Sequence, residues 1–191
     1  MATENFLKVF EETAALLRGH FLLTSGLHSD TYFQCARVLQ YPDIAAQLCS
    51  HIAANYGGRD IKTVIAPAIG GIVVSMEVAR ALGARSIFAE RENGKMTLRR
   101  GFEIKPGEKV LVVEDVTTTG GSIEEVIDLV RAFGAVPVGA ACLVDRSGGA
   151  IDLGLDLFAL VRLTVETFEP ARCKLCVQNI PLVKPGSRSI Q

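Results

Sequence analysis

Val110-Leu111-Val112-Val113-Glu114-Asp115-Val116-Thr117-Thr118-Thr119-Gly120-Gly121-Ser122 runs from an apolar strand, through two adjacent carboxylates, into a hydroxyl- and glycine-rich turn. Ile123 to Phe133 then has helical periodicity, and Gly134 stops it. In open parallel sheets, ligands bind outside the carboxyl ends of the strands, so this stretch marks both a fold and a site. Backbone N–H groups of a glycine-rich turn entering a helix form an anion site. Thr117, Thr118, Thr119 and Ser122 add hydroxyl donors, and Gly120 and Gly121 let the backbone come close. Glu114 and Asp115 would repel a phosphate placed directly on them. They suit sugar hydroxyls, or a divalent cation held through water. Carboxylates beside a phosphate cradle describe a phosphosugar. Threonines that merely cap the helix are the plain alternative, but capping does not call for a Glu-Asp pair. There is no Gly-Lys-Thr/Ser ending of a Walker loop, and the glycines lack dinucleotide-fingerprint spacing.

Outward from this stretch the pattern alternates. Phe6, Val9, Phe10, Thr13, Ala14 and Leu17 predict a first helix, ended by Gly19. Leu22 to Gln40 reads as extended and irregular, with a turn at Ser25-Gly26. Pro42 and Asp43 open a second helix, closed by Gly57-Gly58. Thr63 to Ala66 is a strand, Gly70-Gly71 a turn, Ile72 to Leu82 a helix stopped by Gly83, and Ser86 to Glu90 a strand. Arg91 to Gly101 is polar and predicts a mobile loop or hairpin. Lys109 to Val113, Val136 to Val144 and Leu157 to Leu163 complete the strands. The expected fold is α/β, a largely parallel sheet flanked by helices. A single domain is expected over 1–191, with a small hood built from about 1–40 and 165–191.

Composition bounds the rest. With 191 residues, 49% hydrophobic and 21% charged, the chain has a soluble globular profile. A formal net charge of -1 gives no case for nucleic-acid or anionic-membrane binding. There is no secretory signal pattern and no apolar run long enough to span a bilayer. Five scattered cysteines argue against a disulfide framework and for a reducing cytoplasm. Cys173-Lys174-Leu175-Cys176 is one Cys-x-x-Cys pair. His20, His28 and His51 are distant from it in sequence and lack ligand spacing, so the pair reads as structural or incidental.

The stretch from Val110 to Ser122 resembles the signature with which type I phosphoribosyltransferases bind 5-phosphoribosyl 1-pyrophosphate (PRPP), and further segments resemble the orotate phosphoribosyltransferase family over nearly the whole chain. The resemblance implies a type I phosphoribosyltransferase-like fold. It implies transfer of the phosphoribosyl group of PRPP to orotate in pyrimidine synthesis, with magnesium as cofactor, in a cytoplasmic homodimer. PRPP would be held by Glu114, Asp115, Val116, Thr117, Thr118, Thr119, Gly120, Gly121 and Ser122, with Arg91 and Lys95 from the flexible loop. Glu114, Asp115 and Lys95 would be the catalytic residues. The segment Phe21 to Phe33 resembles the family's N-terminal part, which implies Tyr32 and Phe33 near the orotate ring. Thr118 and Arg146 would contact the base, since a guanidinium can bind orotate's carboxylate in bidentate fashion. Ala66 to Ile72 resembles the pyrophosphate loop. Here Gly70 stands where many members carry lysine, and His28 stands where many carry a basic residue. Thr97 lies near the place of a histidine found in many relatives. No protein residue is assigned to a metal directly. A purine phosphoribosyltransferase and a non-catalytic PRPP-binding regulator are the competing readings. Arg146 argues against the first, and the absence of a nucleic-acid surface argues against the second.

Overall fold

A computed structural model describes residues 3–23 and 25–185. A six-stranded sheet has the order β5-β4-β3-β6-β7-β8. Its members are β3 (Thr63–Pro67), β4 (Arg85–Glu92), β5 (Lys95–Leu98), β6 (Lys109–Thr117), β7 (Val136–Asp145) and β8 (Leu157–Arg162). All neighbours run parallel except the β4–β5 hairpin. Parallel sheets need both faces covered, which is why these strands read as apolar runs. Val64, Leu111 and Val113 face one core with helices α1 (Thr3–Glu12), α3 (Pro42–Tyr56) and α4 (Gly71–Leu82). Ile65, Val110 and Val112 face the other, with Ile123, Val126, Ile127 and Val130 of α5 (Gly121–Ala132). The α/β expectation is borne out.

The hood is more regular than its sequence suggests. Strands β1 (Leu16–Leu22), β2 (His28–Phe33) and β9 (Thr167–Phe168) form an antiparallel sheet where extended, irregular chain is expected. A short helix, α2 (Ala36–Leu39), follows. The β1–β2 turn does fall at Ser25-Gly26, with Gly26 at φ 83°. The first helix ends at Glu12, well before Gly19. Thr13 Oγ1 bonds back to the Val9 carbonyl at 2.8 Å, Ala14 takes a left-handed φ of 52°, and Ala15 N–H closes onto Phe10 O at 2.8 Å. Leu17, which extends the helical period, belongs to β1 instead. At the far end, a short helix α6 (Lys174–Val177) leads to Val183, which pairs with β1 through Val183 N–H to His20 O at 2.8 Å and Leu22 N–H to Val183 O at 2.9 Å.

Candidate active site

The carboxyl ends of β3, β6 and β7 open into a cavity of about 530 Å³, roofed by the hood and by Lys184 and Pro185 of the tail. Of the residues singled out from sequence, Glu114 to Ser122, Arg146, Tyr32 and Phe33 all line it.

Strand β6 runs further than its apolar part. Glu114, Val116 and Thr117 still pair with Cys142, Val144 and Asp145 of β7, so the acids are held by the ladder. Glu114 is buried and its Oε1 accepts the Asp115 N–H at 3.2 Å. Both carboxylates come up against Gly70-Gly71. A Cβ on residue 70 would lie 2.6 Å from each Asp115 carboxylate oxygen, and one on residue 71 would lie 2.8 Å from Ala66 Cβ and 3.1 Å from Glu114 Oε1. Gly70 therefore leaves the space that the Asp115 carboxylate occupies.

The turn after β6 leaves the start of α5 open. Thr117 is buried, and its Oγ1 accepts the Gly120 N–H at 3.1 Å. Gly120 has φ 83°, and a Cβ there would lie 2.7 Å from Ile151 Cγ2, so glycine is required twice over. It stands at the N-cap without any side-chain cap bond. The threonines therefore do not cap this helix. Its first-turn N–H groups point to where an anion is favoured, beside the exposed hydroxyls of Thr118 and Thr119.

Arg146 is the most unusual group in the cavity. Its Nε and Nη2 are buried with no hydrogen-bond partner among the described residues. Its backbone is fixed by Arg146 N–H to Thr117 O at 2.9 Å. The neighbouring carboxylate, Asp145, is fully buried and already committed. It accepts from Ser147 N–H at 2.8 Å, Ser147 Oγ at 2.6 Å and Arg162 Nε at 3.1 Å. Burial pulls the Arg146 guanidinium below its ordinary value against Tyr32 and Cys35, yet arginine stays charged at neutral pH. Burial raises the Tyr32 phenol, opposed by Arg146 and reinforced by Asp115 and Cys35. A buried, charged, unpartnered fork is costly unless an anion meets it.

Three placements differ from the sequence reading. Phe33 borders the cavity, but it is 3% exposed and packs edge-on against Phe10 at 5.8 Å, so only Tyr32 of the pair presents a half-exposed ring. Arg91 and Lys95 lie outside the cavity. Glu92 and Lys95 flank a two-residue Asn93-Gly94 turn with φ 48° and 82°, so Arg91 to Leu98 takes the hairpin form of the two that the sequence allows. Arg91 bonds Gly94 O and Glu125 Oε1, both at 2.8 Å, while Lys95 has no ion pair among the described residues. Finally, His28 turns away from the cavity into a buried contact with His20. Sequence reasoning missed Lys184 and Pro185, which the tail strand bridge at Val183 carries to the cavity. Nothing in local pattern signals that pairing.

The phosphoribosyl transferase domain profile matches residues 37–154. The chain is 58% identical over 190 residues to orotate phosphoribosyltransferase of Pelotomaculum thermopropionicum, covering 100% of both chains. It is 56% identical to that of Desulforamulus reducens, again over 100% of each. Among solved structures it is similar to orotate phosphoribosyltransferase from Aeropyrum pernix, with TM-score 0.68 and 30% identity over 82% of this chain and 92% of that one. Full-length identity at this level, on a fold with the acid pair and anion turn in place, means that the chain belongs to the orotate phosphoribosyltransferase family.

Proposed function

We propose that the protein transfers the 5-phosphoribosyl group of PRPP to orotate, giving orotidine 5′-monophosphate and pyrophosphate in pyrimidine nucleotide synthesis. The observation that carries the base assignment is the buried Arg146 fork with Nε and Nη2 unpartnered. Orotate brings a carboxylate to it, and a neutral purine brings none.

The open first turn of α5 and the hydroxyls of Thr118, Thr119 and Ser122 hold the 5-phosphate. Glu114 and Asp115 accept the ribose hydroxyls, so negative charge stands near C1 as it gains cationic character. The C1–O bond to pyrophosphate breaks and the pyrophosphate keeps the electron pair, while the orotate ring nitrogen forms the new bond to C1 and gives up its proton to the departing pyrophosphate. Tyr32 and Thr118 flank the base. Carboxylate oxygens beside a polyphosphate are the donor set magnesium favours, with Asp115 and Glu114 as the protein side of that set. A magnesium ion held there would supply charge neutralisation for the departing pyrophosphate. Lys184 lines the same cavity and supplies a positive charge there that residue 70 does not.

Lys95 acts from the hairpin. The protein works as a homodimer in which Lys95 reaches the neighbouring protomer's cavity. Support comes from its position outside the cavity of its own chain and its lack of an ion pair among the described residues. Five free cysteines suit a reducing cytoplasm as its location.

The test is orotate consumption, followed by absorbance, with PRPP and magnesium, beside adenine, guanine, hypoxanthine, xanthine and uracil. Turnover of orotate that needs both PRPP and magnesium supports the reading. Turnover of a purine alone keeps the phosphate site and discards the base assignment. PRPP binding without turnover of any base marks a regulator.

A further inference from the structure

The fold brings together the two histidines and two cysteines that sequence distance separates. His20, His28, Cys173 and Cys176 each present one ligand atom, and these atoms lie within 4.8 Å of one another. Among the described residues this is the one such group of His, Cys, Asp and Glu. Three of the four residues are buried, at 2%, 5% and 1% exposure for His20, His28 and Cys173.

Several independent features of the backbone aim these groups at one point. Strand β1 has a bulge, because Arg18 pairs with Thr31 but Phe21 with Ser29. A bulge re-aims a side chain, and here both His20 and Phe21 are buried in succession, which a regular strand does not allow. His20 Nδ1 lies 2.8 Å from the Ile180 carbonyl. A carbonyl only accepts, so Nδ1 carries the proton and Nε2 presents its lone pair to the cluster. This is the outer hydrogen bond that metal-bound histidines characteristically make. Cys173 precedes α6 and Cys176 lies within it, so a Cys-x-x-Cys turn brings both thiols to the same side.

Three sulfur–nitrogen distances fit a tetrahedral ion. With Zn–S about 2.3 Å and Zn–N about 2.0–2.1 Å, sulfur–nitrogen edges come to about 3.5 Å. Here Cys173 Sγ to His20 Nε2 is 3.5 Å, Cys176 Sγ to His20 Nε2 is 3.8 Å, and Cys176 Sγ to His28 Nδ1 is 3.4 Å. His20 Nε2 to His28 Nδ1, at 2.8 Å, is shorter than its edge of about 3.4 Å, and the four atoms span up to 4.8 Å, so the two imidazoles part and the widest pair closes around an ion. Two thiolates and two imidazoles with no carboxylate select a borderline-soft ion over magnesium.

We propose that His20, His28, Cys173 and Cys176 bind one structural zinc ion per chain, on the hood and apart from the substrate cavity. The ion joins β1 and β2 to α6 across about 150 residues of chain, and it closes a four-ligand site with no open position. It also fixes the tail. The carbonyl of His20 receives the Val183 N–H at 2.8 Å, and the next two residues, Lys184 and Pro185, roof the cavity. The inference does not depend on which base the enzyme uses.

The test is metal content of the full-length protein purified under reducing conditions without added zinc. One equivalent of zinc per chain is expected. After removal by a strong chelator, cobalt(II) should give the visible bands of tetrahedral coordination and a thiolate charge-transfer band. Thermal stability lost with zinc should return with zinc and not with magnesium. Cys176 is exposed, so Cys176→Ala should fold, as circular dichroism can verify. Its zinc content after dialysis should fall below roughly one-fifth of an equivalent. Absence of zinc with no tetrahedral cobalt spectrum would overturn the proposal. So would a folded Cys176→Ala protein that keeps a full equivalent.

Discussion

Asp115 carries its carboxylate into space that exists because residue 70 has no side chain. Replacing Asp115 with Asn keeps the volume and removes the charge, so kcat should drop about 10²-fold with little change in melting temperature. Near-normal turnover would remove Asp115 from the chemistry. Gly70→Ala should produce a related defect without touching the acid, because its Cβ would stand 2.6 Å from both Asp115 oxygens. Steady-state kinetics should show a smaller loss in kcat for Gly70→Ala than for Asp115→Asn, because the displaced carboxylate keeps its charge, and an unaffected Gly70→Ala enzyme would contradict the packing argument. The acid pair and the threonine-glycine turn were legible because their chemistry lies in consecutive residues. The dependence of Asp115 on Gly70 was not, since two loops some forty-five positions apart meet only after β3 and β6 pair. Phe33 shows the complementary limit. Two adjacent aromatics in a strand point to opposite sides, and its side is the core.

At the scale of elements, the role proposed for the β4–β5 hairpin depends on a second chain. Lys95→Ala should slow the chemical step about 10²-fold while PRPP still binds. Mixing Lys95→Ala with Asp115→Asn separates the two ways Lys95 could reach a cavity. If the hairpin serves the partner, refolded mixtures regain activity, because hybrid dimers hold one site with both native residues. Mixtures no more active than the parents would confine the lysine to its own chain. The Asn93-Gly94 turn was readable as a hairpin signal within a polar stretch. The hood sheet was not readable. Leu17 continues the helical period of α1, and only the left-handed Ala14 turns the chain into β1. Likewise, His20 and His28 have no ligand spacing to the Cys173–Cys176 pair in sequence, because a bulge and a strand pairing bring them together.

For the whole molecule, Glu108 ties three parts of the sheet's base together. It accepts hydrogen bonds from Thr63 Oγ1, from Lys105 N–H at 2.9 Å and from Arg85 Nη2 at 2.9 Å. Burial pushes its carboxyl up, but the bonds from Thr63, Lys105 and Arg85 outweigh that and hold it below the usual glutamate range. A lowered folded value means stability that is complete above the ordinary carboxylate range and is lost as pH falls through the folded value. Glu108→Gln should therefore lower the melting temperature near neutral pH and narrow its gap to wild type in acid. A gap independent of pH would remove the charge from the argument. No helix among the described residues is long and apolar enough to cross a membrane. The parallel sheet was legible at this scale because its strands are covered on both faces and so read as unbroken apolar runs. The central claim is that a buried guanidinium reads the carboxylate of the base, and kinetics of Arg146→Ala against each substrate in turn test it most directly. Loss of a charge-assisted fork of about 1.5–3 kcal/mol predicts an orotate KM raised roughly 10- to 150-fold, with the PRPP KM nearly unchanged. Equal increases for both substrates, or none, would contradict the account.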